Sequence, residues 1–250
     1  MPLGLGSNLS RAISKPIRPG IVTDNLVLKH KYDAGSVIPV SDGAAYFDGS
    51  DSEIVTPLSA SVFDNDFTIT AWVKMSENHS SYRTIVGARD GDNDLIEFYI
   101  ISNSSGSVPN HISLVMGVGT GNHWNTSNEK VLAEDGWTHV ACTFTPGEQK
   151  IYKNGASTSF HTGGNRTSAA FDVDANVIIG NMQENSNHDF RGYICNVGIW
   201  TSVLTQAQVK SIMNKNYAGL TDSEKTNLVS WWNLSADAND SHGSNNGTLS

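Results

Sequence analysis

The fold of this chain is decided by two neighbouring stretches, Gly-Trp-Thr-His-Val-Ala-Cys-Thr-Phe at residues 136–144 and Gln-Lys-Ile-Tyr-Lys-Asn-Gly at residues 149–155. The first stretch is rich in β-branched and aromatic residues, which favours a β-strand. Side chains alternate between the two faces of a strand, so the residues expected to share one face are Val140, Cys142 and Phe144.

The Asn154-Gly155 pair that ends the second stretch is a signal for a tight hairpin. A type I′ turn requires positive φ at both central residues, and asparagine and glycine adopt that conformation most readily. We therefore expect a third strand over residues 156–160 that folds back on residues 149–153.

Outward from this centre, the chain contains many more short segments with the composition of strands, separated by turn residues. Further strands are expected at residues 44–47, 53–55, 67–73, 95–101 and 112–118. Many short strands with turn signals between them indicate a sandwich of two sheets rather than a parallel sheet.

Several segments, in chain order, resemble the laminin-G-like, concanavalin A-like jelly-roll family. They are residues 45–49, 67–74, 85–87, 137–141, 151–155, 177–181, 190–194 and 204–209. The resemblance covers roughly residues 40 to 215. It implies an all-β fold, a two-sheet antiparallel jelly-roll sandwich with one or two short helices. It says much less about function, since one fold hosts many functions.

Composition sets limits on the class of protein. A chain of 250 residues is long enough for one large β-domain, and its mean hydropathy is -0.29. The net charge of -9 argues against a general nucleic-acid surface. No apolar run approaches the length that membrane insertion requires.

Residues 1–22 differ from the rest of the chain, because they contain Arg11, Lys15 and Arg18 and no acidic residue. This composition predicts an extended N-terminal arm, followed by a jelly-roll domain with a C-terminal extension over residues 23–250. The arm is either a disordered terminus or a docking segment that orders on a partner. The first residues lack the apolar run of a secretory signal, which indicates synthesis in the cytoplasm. The alternative is a secreted protein whose signal has been removed.

Two helices are predicted near the C-terminus, where Thr205 with Gln208 and Thr221 with Glu224 fit the capping-box pattern. Residues 228–234 resemble the segment that usually opens a laminin-G-like domain, although here they come near the end of the sequence. They are expected to supply a strand either to their own sandwich or to a neighbour's. An exposed sheet edge would also permit self-association into a homo-oligomer.

The two cysteines, Cys142 and Cys195, both fall in predicted strands. One interpretation is a pair of buried free thiols that act as small hydrophobic side chains. The other is a disulfide between strands, which requires Cα atoms within about 7 Å. Nothing in the sequence indicates an oxidising compartment, which favours free thiols.

The densest acidic run offers candidate metal ligands in Asp90, Asp92 and Asp94. Calcium takes several oxygen ligands, and an acidic loop can supply them. The alternative is a solvated turn that enters a strand. Laminin-G-like and pentraxin-like sandwiches often bind calcium at a rim, but the family's acidic pair is replaced here by Cys195-Asn196. The remaining rim candidates are Asp48, Asp51 and Glu53.

The same run also suggests an enzyme. Retaining glycoside hydrolases on this type of sandwich carry Glu-x-Asp-x-Glu on one strand, where two carboxyl groups about 5 Å apart act as nucleophile and acid/base. Here Asp92, Asp94 and Glu97 give Asp-x-Asp-x-x-Glu, with a shorter first side chain and two acids in an expected loop. The pattern departs from the family's, and we predict that the protein is not an enzyme.

The candidate ligand-binding residues are His123 and Trp124. They lie in a polar segment, residues 119–128, which is expected to be a loop, and loops at a sandwich rim commonly bind ligands. An exposed tryptophan there would stack on a sugar ring; alternatively, Trp124 folds back over a sheet edge.

Two function classes follow. The N-terminal leader and residues 23–28 resemble leaders on virion surface proteins of marine tailed phages. This resemblance implies a non-catalytic structural protein on the virion surface, as a capsid decoration or fibre component with a lectin-like domain. Its partners would be other virion proteins, through the arm, and cell-surface glycans. The alternative is a carbohydrate-binding lectin module.

Overall fold

The computed structural model describes residues 41–78, 82–90, 94–101, 110–118, 121–163, 173–182 and 188–250. In these ranges the chain forms fifteen β-strands and one short α-helix, α1 (Gln206–Ile212). The strands are β1 (Ala45–Asp48), β2 (Ile54–Ser59), β3 (Phe67–Met75), β4 (Tyr82–Arg89), β5 (Leu95–Ile101), β6 (His111–Val118), β7 (Gly121–Lys130), β8 (Thr138–Thr145), β9 (Glu148–Lys153), β10 (Ala156–Ser157), β11 (Phe160–Gly163), β12 (Asn176–Ile179), β13 (Arg191–Trp200), β14 (Leu228–Trp232) and β15 (Thr248–Leu249). The predicted arm, residues 1–22, lies outside the described residues.

The strands form two sheets that share one hydrophobic core. The seven-stranded sheet has the order β1-β13-β3-β8-β9-β10, and β14 also pairs with β13. The eight-stranded sheet has the order β11-β7-β6-β5-β4-β12-β2-β15. Every strand pair is antiparallel. The two-sheet antiparallel jelly-roll sandwich predicted from the sequence is confirmed.

Strand β8, which contains Val140, Cys142 and Phe144, lies in the middle of the seven-stranded sheet. Val140, Cys142 and Phe144 are fully buried on its core face, as alternation predicts. Phe144 stacks on Phe67 of β3 with ring centroids 5.3 Å apart. Burying a side chain of this size stabilises a fold by about 1.5–3 kcal/mol, so β8 anchors the sheet.

The Asn154-Gly155 hairpin is confirmed, since their φ angles are 49° and 73°. The strand after it is shorter than predicted, because β10 ends at Ser157 and the chain then crosses to the other sheet. Thr158 donates its N–H to the carbonyl of Ile151 in β9 (2.9 Å). The carbonyl of Ser159 accepts from the N–H of Asn128 in β7 (2.8 Å). Two consecutive residues are thus bonded to opposite sheets.

The first predicted helix is confirmed as α1. Thr205 accepts the N–H of Gln208 (3.3 Å), and the Gln208 side chain accepts the N–H of Thr205 (2.8 Å), so the capping box is complete. Val209 and Ile212 are buried against the outer face of the seven-stranded sheet. No helix in the described ranges is both long and apolar enough to cross a membrane.

The second predicted helix is wrong. Thr221 and Glu224 form the reciprocal hydrogen bonds of a capping box, but the residues after them form turns. Asn227 has a φ of 60° and β14 begins at the next residue, so there is no length for a helix. The Glu224 carboxylate instead accepts hydrogen bonds from Ser211, Lys215 and Thr221. Burial acts to raise the pKa of its carboxyl, but Lys215, Ser211 and Thr221 outweigh that effect and lower the pKa to about 2.

The disulfide alternative is excluded, because both cysteines are free and buried. Cys142 pairs across β3 with Ile69, whose side chain faces the core, whereas Cys195 pairs with Trp72 on the other face of the sheet. Burial raises the pKa of both thiols, that of Cys195 to about 12. Both therefore act as small hydrophobic side chains.

The C-terminal segment completes the sandwich of its own chain. β1 pairs with Arg191–Ile194 and β14 with Val197–Trp200, so the two strands lie end to end along β13. Asn196 has a φ of 49° where one partner strand gives way to the other. Both tryptophans of β14, Trp231 and Trp232, are almost completely buried.

Asp240 holds the return of the chain after β14. One of its carboxylate oxygens accepts the backbone N–H groups of Trp231, His242 and Gly243, each at 3.0 Å, and the other accepts that of Asn245 at 3.1 Å. Burial acts to raise the pKa of this carboxyl, but the donated N–H groups outweigh it and hold the pKa below its ordinary value.

Candidate functional site

The outer face of the eight-stranded sheet carries a row of chemically distinct side chains. On β5, Ile96, Phe98 and Ile100 face the core, so alternation directs Leu95, Glu97, Tyr99 and Ile101 outward. Glu97 lies opposite Gly87 of β4 and Val115 of β6. Val115 in turn lies opposite Trp124 of β7.

Trp124 is the most exposed tryptophan among the described residues, with 51% of its surface accessible. The predicted loop at residues 119–128 is wrong, because residues 121–130 form β7, which pairs with β6 on one side and β11 on the other. Trp124 therefore projects from a paired strand. Its backbone is fixed, and its indole presents a flat apolar surface to solvent.

His123 and Trp124 are not brought together. Consecutive residues of a strand point to opposite faces. His123 lies opposite Met116, a core residue, whereas Trp124 lies opposite Val115 on the outer face. His123 is exposed, but it does not share a face with Trp124.

Glu97 is held in a buried polar cluster. Its carboxylate oxygen Oε1 accepts a hydrogen bond from the Thr84 hydroxyl and lies 2.6 Å from Nδ1 of His188. Glu97 is 2% exposed. Burial first, and then the Glu97 charge, raise the pKa of the neighbouring Tyr99 well above its ordinary range, so its hydroxyl stays protonated.

Met182 and His188 contact residues of this row, and Asn181 lies beside it; we call these three residues the strap. Met182 packs on Leu95, Tyr99 and Val115. A Cβ at Gly87 would lie 3.1 Å from the carbonyl oxygen of Asn181 and 3.3 Å from Cβ of Met182. Glycine at position 87 therefore lets the strap approach the sheet closely.

Tyr82 extends the aromatic surface on the same face. It is 40% exposed, and its ring stacks on His188 at 4.5 Å between centroids and an interplanar angle of 9°. Tyr82 and Trp124 are three strands and four residues apart in the sheet register. That separation corresponds to roughly 20 Å. Two exposed rings at this spacing suit an oligosaccharide better than a single sugar.

A cavity of about 400 Å³ lies on the far side of the strap. The row continues from Gly87 to Ile178 of β12 and Val55 of β2, and both residues line the cavity. Apart from Ala175, its other lining residues are polar: Glu53, Ser59, Asp174 and Asn176. The outer face thus offers an exposed aromatic region on one side of the strap and a polar hollow on the other.

The described parts of the acidic run include Asp90 and Asp94, which lie between β4 and β5. Asp90 donates its N–H to the carbonyl of Asp94 (3.2 Å), and its carboxylate accepts the N–H of Asp174. Asp92 lies outside the described residues. No three acidic, histidine or cysteine side chains in the described ranges are grouped as metal ligands would be. Calcium takes six to eight oxygens, so Asp90 and Asp94 do not by themselves form a calcium site.

The rim acids stabilise local structure. Asp48 accepts the N–H of Ser50 (2.9 Å), and the hydrogen bonds from Ser50 and Ser52 lower the pKa of its carboxyl. Glu53 accepts from the side-chain amide of Asn181 (2.9 Å), which ties β2 to the strap. These contacts are those of a turn and a strap anchor.

Sequence reasoning missed the pairing of Glu97 with His188 and the role of Tyr82. Alternation along β5 places Glu97 on the same outer face as Tyr99, so the sequence pattern could have predicted an acidic side chain at this position of the sheet. Nothing in the sequence connects Glu97 to His188, because 91 residues separate them. Only the folded strap brings them together.

Comparisons with known proteins agree with this architecture. The sequence profile of the Concanavalin A-like lectin/glucanases superfamily matches residues 48–210. A Bacteroides ovatus protein, described provisionally as carbohydrate binding, superposes with a TM-score of 0.60 at 19% identity. The match covers 85% of this chain but only 58% of that protein. No curated protein matches the sequence.

Two further solved structures are similar. A heptameric SAP-like pentraxin from Limulus polyphemus has a TM-score of 0.50 and 16% identity, over 67% of this chain and 80% of its own. The CBM40 of a Ruminococcus gnavus sialidase has a TM-score of 0.49 and 13% identity, over 69% of this chain and 97% of its own. At these identities the likeness shows the fold, and function must be argued from the site.

Proposed function

The chain belongs to the Concanavalin A-like lectin/glucanases superfamily, and we propose that it is a non-catalytic carbohydrate-binding protein that holds its glycan on the outer face of the eight-stranded sheet. The observation that carries the proposal is the exposed indole of Trp124, fixed on a doubly paired strand. The provisional description of the Bacteroides ovatus protein as carbohydrate binding supports it.

Binding would use two kinds of contact. The flat indole of Trp124 offers the apolar surface on which the CH-bearing face of a sugar ring stacks, and Tyr82 offers a second ring about 20 Å away. Ligand sites combine such apolar surfaces with a few fixed polar groups. The polar walls of the cavity beyond the strap supply donors and acceptors for sugar hydroxyls.

The geometry favours binding without hydrolysis. A retaining glycosidase needs two carboxyl groups about 5 Å apart that reach the glycosidic bond. Glu97 is 2% exposed, and its nearest polar partners are a hydroxyl and an imidazole rather than a second carboxyl. Its role would then be to fasten the strap to the sheet through His188.

Trp124→Ala should weaken glycan binding strongly. Loss of a central aromatic contact commonly costs about 2 kcal/mol or more, which is roughly a thirtyfold loss of affinity. We would screen the wild-type protein on a glycan array and measure the strongest hit by titration calorimetry. Trp124→Phe should retain part of the affinity, and no reducing ends should be released during the titration.

His123→Ala is the matched control, because this neighbour lies on the opposite strand face and should leave binding unchanged. Equal losses for His123→Ala and Trp124→Ala would mean that the segment binds as a loop. An array without any wild-type signal would overturn the proposal. Turnover of a β-glucan that Glu97→Gln abolishes would show an enzyme instead.

We further propose that the protein is displayed on a virion surface and attached through residues 1–22. The support is in the sequence: this segment is basic and free of acidic residues, in a chain of net charge -9. A chain without residues 1–22 should keep its glycan affinity but no longer join the particle. Unchanged incorporation, measured by the protein content of purified particles, would contradict the docking role.

A further inference from the structure

A second exposed aromatic surface lies on the outer face of the other sheet. Tyr46 of β1 pairs with Tyr193 of β13, and Tyr193 pairs with Lys74 of β3. The β3–β8 register places Trp137 opposite Lys74, one step beyond the last recorded pair. We call these four residues the aromatic row. None of them belongs to the site around Trp124.

The rings of the row form a shallow surface. Tyr46 is 50% exposed and Tyr193 38% exposed, and their ring centroids are 5.0 Å apart at an angle of 54°. The ring of Trp137 lies 6.2 Å from that of Tyr193, although β3 separates their strands. Strands two places apart are about 9.6 Å from each other, so the two rings lean toward each other across β3.

The rest of this face is covered. The helix α1 and the residues around it pack on Ala141, Trp200 and Trp231. Trp72 donates its indole N–H to the carbonyl of Met213 at 3.0 Å, just beyond the helix. The aromatic row lies next to this covered region, since Lys74 is two residues beyond Trp72 on β3, and its two tyrosines remain exposed.

The ammonium group of Lys74 carries the only charge of the aromatic row. Among the described residues, no acceptor lies within hydrogen-bond or ion-pair distance of the Lys74 ammonium group. The nearest row along the strands has its own pairing, since Arg191 contacts Glu77 at 2.8 Å and lies opposite Asp48. In a chain of net charge -9, a lysine in register with Tyr193 and unpaired among the described residues is an attractive point for an anion.

We propose that the aromatic row is a second saccharide site, selective for an acidic sugar whose ring stacks on Tyr193 and Trp137 and whose carboxylate pairs with Lys74. A pyranose carboxylate matches both parts of the surface, because its ring has an apolar face and its charge lies in the ring plane. Tyr46 extends the stacking surface to a neighbouring sugar unit.

The test compares a galacturonic acid tetramer with the neutral galactose tetramer of the same linkage, each titrated into the full-length protein by calorimetry. The acidic tetramer should bind more tightly. Lys74→Ala should lower its affinity about tenfold and leave that of the neutral tetramer unchanged. Lys74→Arg should restore most of the loss, because the positive charge remains.

Tyr193→Ala should weaken both tetramers, whereas Trp124→Ala should not affect binding of the acidic one. Backbone amide shift changes on adding the acidic tetramer should centre on residues 46, 74 and 193. Equal affinity for the two tetramers, or shift changes centred on residue 124, would overturn this inference. If Trp124→Ala had no effect on binding of any glycan, the proposed function of the Trp124 surface would be wrong, but the proposal for the aromatic row would still stand.

Discussion

A chain that ends at Asn227 should not fold, because residues 228–250 supply β14, which pairs with β13 at the edge of the seven-stranded sheet, and two buried tryptophans. Trp232 belongs to the main core, and Trp231 packs edge to face on Trp200 with centroids 6.0 Å apart. Removing one large aromatic side chain from a core costs about 3–5 kcal/mol. Domains have a total stability of about 5–15 kcal/mol, so losing both tryptophans and β14 should exceed it.

The measurement is near-ultraviolet circular dichroism with thermal unfolding. A chain that ends at Gly247 is the control, since it lacks only the exposed β15, and we expect it to fold with a loss of about 1 kcal/mol or less. Asp240→Ala should fold with a loss of about 3 kcal/mol, because it leaves buried N–H groups without their acceptor.

The same experiment distinguishes a strand given to the chain's own sandwich from one given to a neighbour. If the strand is intramolecular, the peptide 228–250 added in trans should restore the truncated chain as a one-to-one complex of monomer mass. A truncated chain that keeps its cooperative unfolding transition would show that β14 is dispensable, contrary to the structure.

The second large effect is a loss of stability in weak acid that originates at His139. Its imidazole is 1% exposed, packs edge to face on Trp72, and has no hydrogen-bond partner for Nδ1 among the described residues. Burial lowers the pKa of His139 from 6.5 to about 3. The structure thus shows a buried histidine that desolvation keeps neutral.

The direction in which stability changes with pH depends on whether the folded or the unfolded chain protonates His139 first. The unfolded chain protonates His139 as the pH falls through about 6.5, whereas the folded chain does not until about 3. The free energy of unfolding should therefore fall by about 1.4 kcal/mol per pH unit over that window. Carboxyl groups with lowered pKa values, such as Asp240 and Glu224, reduce stability only further into acid.

Urea unfolding at several pH values between 7 and 4.5 measures the slope. His139→Phe should flatten it, because the ring and its packing remain but the proton site is gone. His139→Gln serves if phenylalanine disturbs the packing, and His123→Gln is the exposed control. A wild-type stability that is constant over this range would contradict the assignment.

The predictability of this fold differed from strand to strand for physical reasons. Alternation located the core face of β8 because its apolar residues recur with period two. It did not find β7, whose sequence Gly-Asn-His-Trp-Asn-Thr-Ser-Asn-Glu-Lys is polar throughout and is held by pairing on both edges. The second helix was misassigned because Thr221 and Glu224 make the same hydrogen bonds around a turn.

The candidate site was predictable only in part. Trp124 stood out as a tryptophan in polar surroundings, and its exposure does not depend on distant residues. The Glu97–His188 pair and the placement of Lys74 opposite Tyr193 arise from tertiary pairing across long stretches of chain. A single sequence carries no local signal for such contacts.

The passage from β10 to β11 has a mechanical consequence. Thr158 is hydrogen-bonded to one sheet and Ser159 to the other, so one peptide bond connects residues that are held by different layers. Sliding one layer along the other would have to break one of these bonds before any core side chain moved. The connection between β10 and β11 therefore resists sliding of the two sheets along each other.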